Sequence, residues 1–234
     1  MNFFTIVLRG LLRRPVRTGL TLLGISIGIA AVIALVGIAR GFEASWTDSL
    51  SSRGTDIVVS ALGSAFTPAP FEQKQMAKLD GLPHIDAVCP IYVTVTSIDQ
   101  SPMIIVSARE WEGFSWDNLT VKEGRMPTDG DVPEVVLGTS AIETLGKDIG
   151  DEIKIGKEEL EIVGIVDGGG SMENGSAFLS LSLMQEITGN EGKINIIDIR
   201  LEPDTSQEDS EQLCETIDSR IPDVRAQLAS EHVR

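Results

Sequence analysis

Between Arg17 and Arg40 the chain reads TGLTLLGISIGIAAVIALVGIA, 22 residues without a charge. At 1.5 Å rise per residue this is ~33 Å of helix, enough to cross a hydrocarbon core of ~30 Å. Only Thr18, Thr21 and Ser26 interrupt the apolar surface. A helix without a polar face is buried in protein or in lipid, and the run predicts a transmembrane helix over 18–40. A cleaved signal peptide is the competing reading. Its apolar region would be ~7–15 residues long and end in a small-residue cleavage site. Here the run is longer and closes on Gly37-Ile38-Ala39-Arg40 without an A-x-A pattern. Upstream, Arg9, Arg13 and Arg17 recur every four residues, along one helical face. Phe4, Val7, Leu8, Leu11 and Leu12 fall mostly on the other. This predicts an amphipathic segment over 1–17 that lies in the headgroup layer, with Pro15 breaking it before the span. A generic positive flank is the alternative. Inside the span Gly24 and Gly28 stand four apart, where small side chains let a second helix approach closely.

Beyond residue 41 the period changes. Asp56–Ser60 predicts a short strand, and a Pro-containing linker at 67–70 introduces a helix from Phe71 to Leu79, stopped by Asp80-Gly81. Ile91, Val93 and Val95 alternate with Tyr92, Thr94 and Thr96, the period of a half-buried strand, and Met103–Ala108 pairs with it. From Trp111 the texture is different. Pro133–Gly138 is a strand, Ser140 to Glu143 has capping-box spacing, and Gly146 ends the short helix. Glu152–Ile155 and Leu160–Val166 form a hairpin. Gly168-Gly169-Gly170-Ser171 reads as a flexible loop, before a strand at Ala177–Leu181 and a short helix at 183–187. The final piece is strand, helix, strand: Ile197–Leu201, then Ser206–Ile221 with Leu213, Ile217 and Ile221 as its apolar stripe, then Val224–Leu228. The pattern predicts an α+β class. One transmembrane helix precedes a split β-α-β subdomain, 41–109 with 190–234, into which a small β-rich subdomain, 110–189, is inserted.

Charge sharpens this picture. The formal net charge is −16, yet the first 42 residues contain no acidic residue and five arginines. Arg9, Arg13, Arg14 and Arg17 flank the span on its N-terminal side. By the positive-inside rule they stay in the cytoplasm, which places residues from about 41 onward outside the cell membrane. An acidic body argues against a nucleic-acid partner, which needs a basic surface. Aromatics make up only 5% of the chain, so the core is aliphatic.

Catalytic constellations are missing from the sequence. There is no GxxxxGK[ST], and the glycine triplet lacks the lysine of a P-loop. Ser140 and Ser171 lack a GxSxG context. The two histidines, His84 and His232, stand far apart, and two cysteines are too few for a multi-ligand zinc site. No cofactor and no metal is expected on this chain. Cys89 and Cys214 fall in the two outer halves, where oxidation is permitted. A bridge between them is a candidate tie, and two separate thiols are the alternative. Asn118-Leu119-Thr120 and Asn174-Gly175-Ser176 are glycosylation sequons.

A basic N-terminus, a glycine-rich first span and a split outer domain together resemble the N-terminal portion of an ABC transporter permease of the MacB/LolCE/FtsX type. The stretch Leu12-Arg13-Arg14-Pro15-Val16-Arg17-Thr18-Gly19-Leu20-Thr21-Leu22-Leu23-Gly24-Ile25 is similar to the family's approach to its first span. Val136-Leu137-Gly138, Ala141, Leu145-Gly146, Gly150-Asp151 and Val163-Gly164-Ile165 follow its extracytoplasmic signature in order. The resemblance implies a non-catalytic membrane subunit. Its partners would be an ABC ATPase carrying ATP and Mg, a second permease copy or paralogue, the lipid bilayer, and an extracytoplasmic substrate or adaptor protein. The family is expected to have four spans, so a chain ending at Arg234 reads as truncated before the second. A self-sufficient, single-span anchored binding protein is the alternative.

Overall fold

The structure is a computed structural model that describes residues 15–52, 54–62, 68–98 and 103–229, and for 42–52 the backbone alone. The chain divides into two compact units, Met1–Ala44 and Ser45–Arg234. The apolar run lies in one long helix, α1 (Pro15–Ser52). Proline is its first described helical residue, a position where the missing N–H has no helical partner to lose.

The second unit is built on one ten-stranded mixed sheet. Its strands are β1 (Ile57–Ala61), β3 (Ile85–Ser97), β4 (Met103–Arg109), β5 (Thr120–Gly124), β6 (Glu134–Gly138), β7 (Glu152–Ile155), β8 (Glu158–Asp167), β9 (Ser176–Ser180), β11 (Ile196–Leu201) and β12 (Val224–Leu228). A separate two-stranded ribbon pairs β2 (Phe71–Glu72) with β10 (Lys193–Ile194). The helices are α2 (Thr139–Leu145), α3 (Ser171–Asn174), α4 (Leu181–Thr188) and α5 (Gln207–Arg220). The sheet order is β12-β1-β11-β3-β4-β9-β6-β8-β5, with β7 also paired to β8. Strands from 41–109 and 190–234 occupy one end and strands from 110–189 the other. They meet in one parallel pair, β4 with β9, where Arg109 lies opposite Ser180 and Ser107 opposite Phe178.

Alternation along the strands sorts side chains onto two faces. On one, Ile57, Val59, Val106, Leu137, Leu179 and Ile199 join the helical residues Ala141, Met184, Leu213 and Ile217 in a cluster that runs through both ends of the sheet. The other face carries two smaller clusters, one around Cys89, Ile91 and Phe114 and one around Trp116, Val136 and Phe178. The stripe predicted on the last helix is buried throughout: Leu213, Ile217 and Ile221. Ser206 caps that helix by accepting from the Asp209 amide at 3.1 Å.

Four local expectations change. Residues Gln73–Leu79 form a 3-10 helix after a two-residue strand, not one α-helix from Phe71. The capping box at Ser140 is not made: α2 begins two residues earlier than it requires, with Gly138 as its N-cap and no side-chain cap. The glycine triplet is tied down rather than slack, because the Gly168 amide donates to Asn174 Oδ1 at 2.9 Å and the Gly169 amide to Asp167 Oδ1 at 3.0 Å. Finally, no disulfide joins Cys89 and Cys214. Cys89 is packed in the Phe114 cluster, while Cys214 packs against the helix-covered cluster on the other face, so the sheet itself separates them.

Candidate functional site

The first feature is a bare apolar helix. From Pro15 to Gly41 it is long and apolar enough to cross a membrane, and its most apolar stretch is entirely unburied. Leu20, Leu23, Ile27, Ile33, Leu35 and Ile38 are each more than half exposed. With Leu22, Ile25, Ile29 and Val32, also more than half exposed, they point in all directions around the axis, since 3.6 residues make a turn. Left in water, each such side chain forgoes ~1.5–3 kcal/mol of burial. Lipid removes that cost. Thr21 reduces its own polarity by donating to the Arg17 carbonyl at 2.9 Å. Gly24 and Gly28 are open: beyond the helix's own backbone, a methyl built on either meets no atom within 4 Å. Four apart, they form one smooth strip of helix. Arg17 lies in the first described turn of α1 and is exposed. Arg9, Arg13, Arg14 and the amphipathic segment lie outside the described residues.

The second feature was not legible in the sequence. Arg109, the last residue of β4, is fully buried. Its Nη2 donates to Glu173 Oε2 at 2.5 Å, its Nη1 donates to the Ser115 carbonyl, and its Nε lies 3.3 Å from Ser107 Oγ. The guanidinium carbon stands 4.5 Å from the centre of the Phe178 ring. Glu173 is itself 2% exposed. A buried guanidinium is tolerated only when its charge is matched and its donors are used. Here both conditions are met, and the groups that meet them come from the two ends of the sheet. Glu173 reaches Arg109 because two glycines let α3 press onto the strands. A Cβ on Gly138 would stand 2.5 Å from the Glu173 carbonyl, and one on Gly168 would stand 2.3 Å from Glu173 Cβ.

A second ion pair sits at the far end of the sheet. Arg125 binds Glu134 with both branches, at 2.8 and 2.6 Å, and the Thr128 amide donates to the same carboxylate at 2.8 Å. The Arg125 hydrogen bonds, helped by Thr128, pull the Glu134 carboxyl down to about 2. Cys89 is the opposite case. Burial pushes its thiol up, although Ser115 Oγ lies 3.2 Å away and lowers it in part. A raised thiol in an apolar cluster is a packing residue, not a nucleophile. These arrangements brace a sheet and present no reacting group to solvent.

Comparison with known proteins identifies the family. Residues 18–217 match the family described as the MacB-like periplasmic core domain. An uncharacterized ABC transporter permease of Methanocaldococcus jannaschii is 23% identical over 230 residues, 92% of this chain and 57% of that protein. The macrolide export ATP-binding/permease protein MacB of Nitrosomonas europaea is 30% identical over 183 residues, 69% of this chain and 26% of that protein. Among solved structures, the periplasmic region of MacB from Actinobacillus actinomycetemcomitans superposes with a TM-score of 0.56 at 16% identity, covering 77% of this chain and 92% of that one. The extracellular domain of the noncanonic ABC-type transporter YknZ from Gram-positive bacteria gives 0.54 at 16% identity, covering 74% and 98%. The chain therefore spans little more than half of the archaeal permease and about a quarter of the Nitrosomonas protein.

Proposed function

We propose a function from the premise that the chain belongs to the family of the MacB-like periplasmic core domain and is an ABC transporter permease of that type. In this reading α1 anchors the chain in the cell membrane with its arginine-bearing end in the cytoplasm. The sheet unit works outside. ATP and Mg act on an ATPase partner, and a second permease copy or paralogue completes the assembly. Nucleotide-driven movement of the membrane helices is passed outward as mechanical work on a substrate or partner. The macrolide in the name of the Nitrosomonas relative is that protein's cargo, and the residues here favour no particular one.

One observation carries the reading: an unburied apolar helix of 27 residues, Pro15–Gly41, stands directly before a sheet with the fold of a MacB periplasmic region. Two physical features suit mechanical transmission. Helix α1 runs on to Ser52, past the apolar stretch, for ~57 Å of continuous hydrogen-bonded backbone. The sheet is likewise continuous from β12 to β5, with its β4–β9 seam pinned by the Arg109–Glu173 pair. The described residues contribute binding and stiffness to this scheme and no bond-making step.

The test is a labelling experiment in intact cells. A cysteine placed at exposed Glu208 should react with a membrane-impermeant maleimide, and one placed before Arg9 should react only after lysis. The reverse pattern would refute the orientation. Co-purification of the full-length gene product with an ABC ATPase supports the coupling. A native gene ending at codon 234, with no ATPase bound, favours the anchored binding protein instead.

A further inference from the structure

The two sequons are chemically alike in sequence and opposite in structure. Asn174 is committed. Its Oδ1 accepts from the Gly168 amide at 2.9 Å and its Nδ2 donates to Asp167 Oδ1 at 3.3 Å. The hydroxyl of its sequon, Ser176, is buried and donates to the Met172 carbonyl at 2.6 Å. An oligosaccharyltransferase needs both groups, the amide as nucleophile and the hydroxyl for recognition, so this sequon is closed in the folded chain. Asn118 and Thr120 are both exposed, on either side of buried Leu119. Asn118 sits in the turn between the 3-10 helix Phe114–Trp116 and β5. The loop is thus held by Leu119 while Asn118 and Thr120 stay exposed on either side of it; the Asn118 amide nitrogen rests beside Gly54, where a Cβ would stand 2.9 Å from it, and among the described residues no hydrogen bond holds it.

We propose that Asn118 is an N-glycan acceptor of the folded chain and that Asn174 is not. The substrate class is a lipid-linked oligosaccharide delivered by an oligosaccharyltransferase. The Asn118 Nδ2 forms a bond to the anomeric carbon, the bond from that carbon to the lipid pyrophosphate oxygen breaks, and the amide nitrogen loses one proton. The lipid pyrophosphate leaves. The location gives the glycan a physical role. Asn118 lies two residues before β5, the edge strand of the sheet, all five residues of which are exposed. An uncovered edge invites pairing with another chain, and a bulky solvated sugar beside it opposes that.

This inference rests on the outward placement of the sheet unit proposed above. The full chain, carrying a flexible Asn-Ser-Thr tag after Arg234, is produced in a host whose oligosaccharyltransferase acts on the outer face of its cytoplasmic membrane. Peptide mass spectrometry should find one glycan at Asn118 and one on the tag. Asn118→Gln should remove the first and leave the second, whereas Asn174→Gln should change nothing. A modified tag with bare Asn118 would overturn the acceptor assignment while leaving the outward placement standing. A bare tag together with bare Asn118 would overturn both. Modification at Asn174 would overturn the selectivity argued from its hydrogen bonds.

Discussion

Neutralising Glu173 is the sharpest test of how the outer sheet is held together. In Glu173→Gln the side chain keeps its length and one acceptor oxygen, but Arg109 loses the Glu173 charge while remaining fully buried. Breaking a buried pair by removing one partner costs ~3–5 kcal/mol, most of it the penalty of an uncompensated charge. The Ser115 carbonyl and the Phe178 ring face remain to share the guanidinium, so the lower figure applies. For a unit of this size ~3 kcal/mol corresponds to a drop of roughly 6–12 °C in Tm. Replacing both partners by apolar residues, Arg109→Met with Glu173→Leu, removes the charge and its requirement together and should restore stability to within about 1 kcal/mol. Urea unfolding of the full chain in detergent, followed by tryptophan fluorescence, reads both effects. Trp116 lies in the same cluster as Phe178, and Trp111 packs on it edge to face at 5.7 Å. A single variant within 1 kcal/mol of the parent would refute the reasoning. So would a double variant less stable than the single.

Further predictions follow from the same geometry. Glu134 titrates near 2 when folded against 4.5 when free, so its contribution is complete above pH 4.5 and disappears as pH falls through about 2; Glu134→Gln should shrink the loss of urea midpoint between pH 5 and 2.5, and an unchanged acid limb would count against the pair. Gly138→Val drives a side chain into the α3 backbone and should cost at least ~1–3 kcal/mol, measured by the same unfolding curve. Gly24→Leu with Gly28→Leu fills the open strip on α1 and should lower the fraction of assembled full-length permease on a native gel; an unaltered band would remove those glycines from the interface. Reversing Arg13, Arg14 and Arg17 to Glu should hide the sheet unit from external protease in intact cells, and normal cleavage would defeat the charge argument.

Local chemistry explains why so much of the chain was readable in advance. A run of 22 uncharged residues can be stable only where water is excluded, whatever else the chain does. The alternation in β3, the αL stop at Gly146 and the stripe Leu213, Ile217, Ile221 each express an interaction between residues a few positions apart, and each lies where the pattern put it. The same nearness explains the misreadings. The glycine triplet looks slack in sequence, but its conformation is set by Asn174 and by a turn pressed against another strand. Capping-box spacing at Ser140 lost to Gly138, whose missing side chain is needed for that same contact.

What only the tertiary structure decided are the long-range meetings. Arg109 and Glu173 are 64 residues apart, and no spacing rule links them. They meet because β4 pairs with β9 in parallel at one register, placing Arg109 beside Phe178 and beneath the turn that carries Glu173. That register also joins both ends of the outer body into one sheet, a pairing that no local pattern specifies. The two cysteines, plausible partners on a line of text, fall on opposite faces of that sheet. Sequence records which residues prefer lipid, water, helix or strand, because those preferences are settled within a turn or two of backbone. Which strand lies next to which is settled by the cooperative burial of whole faces, and that is a property of the folded chain alone.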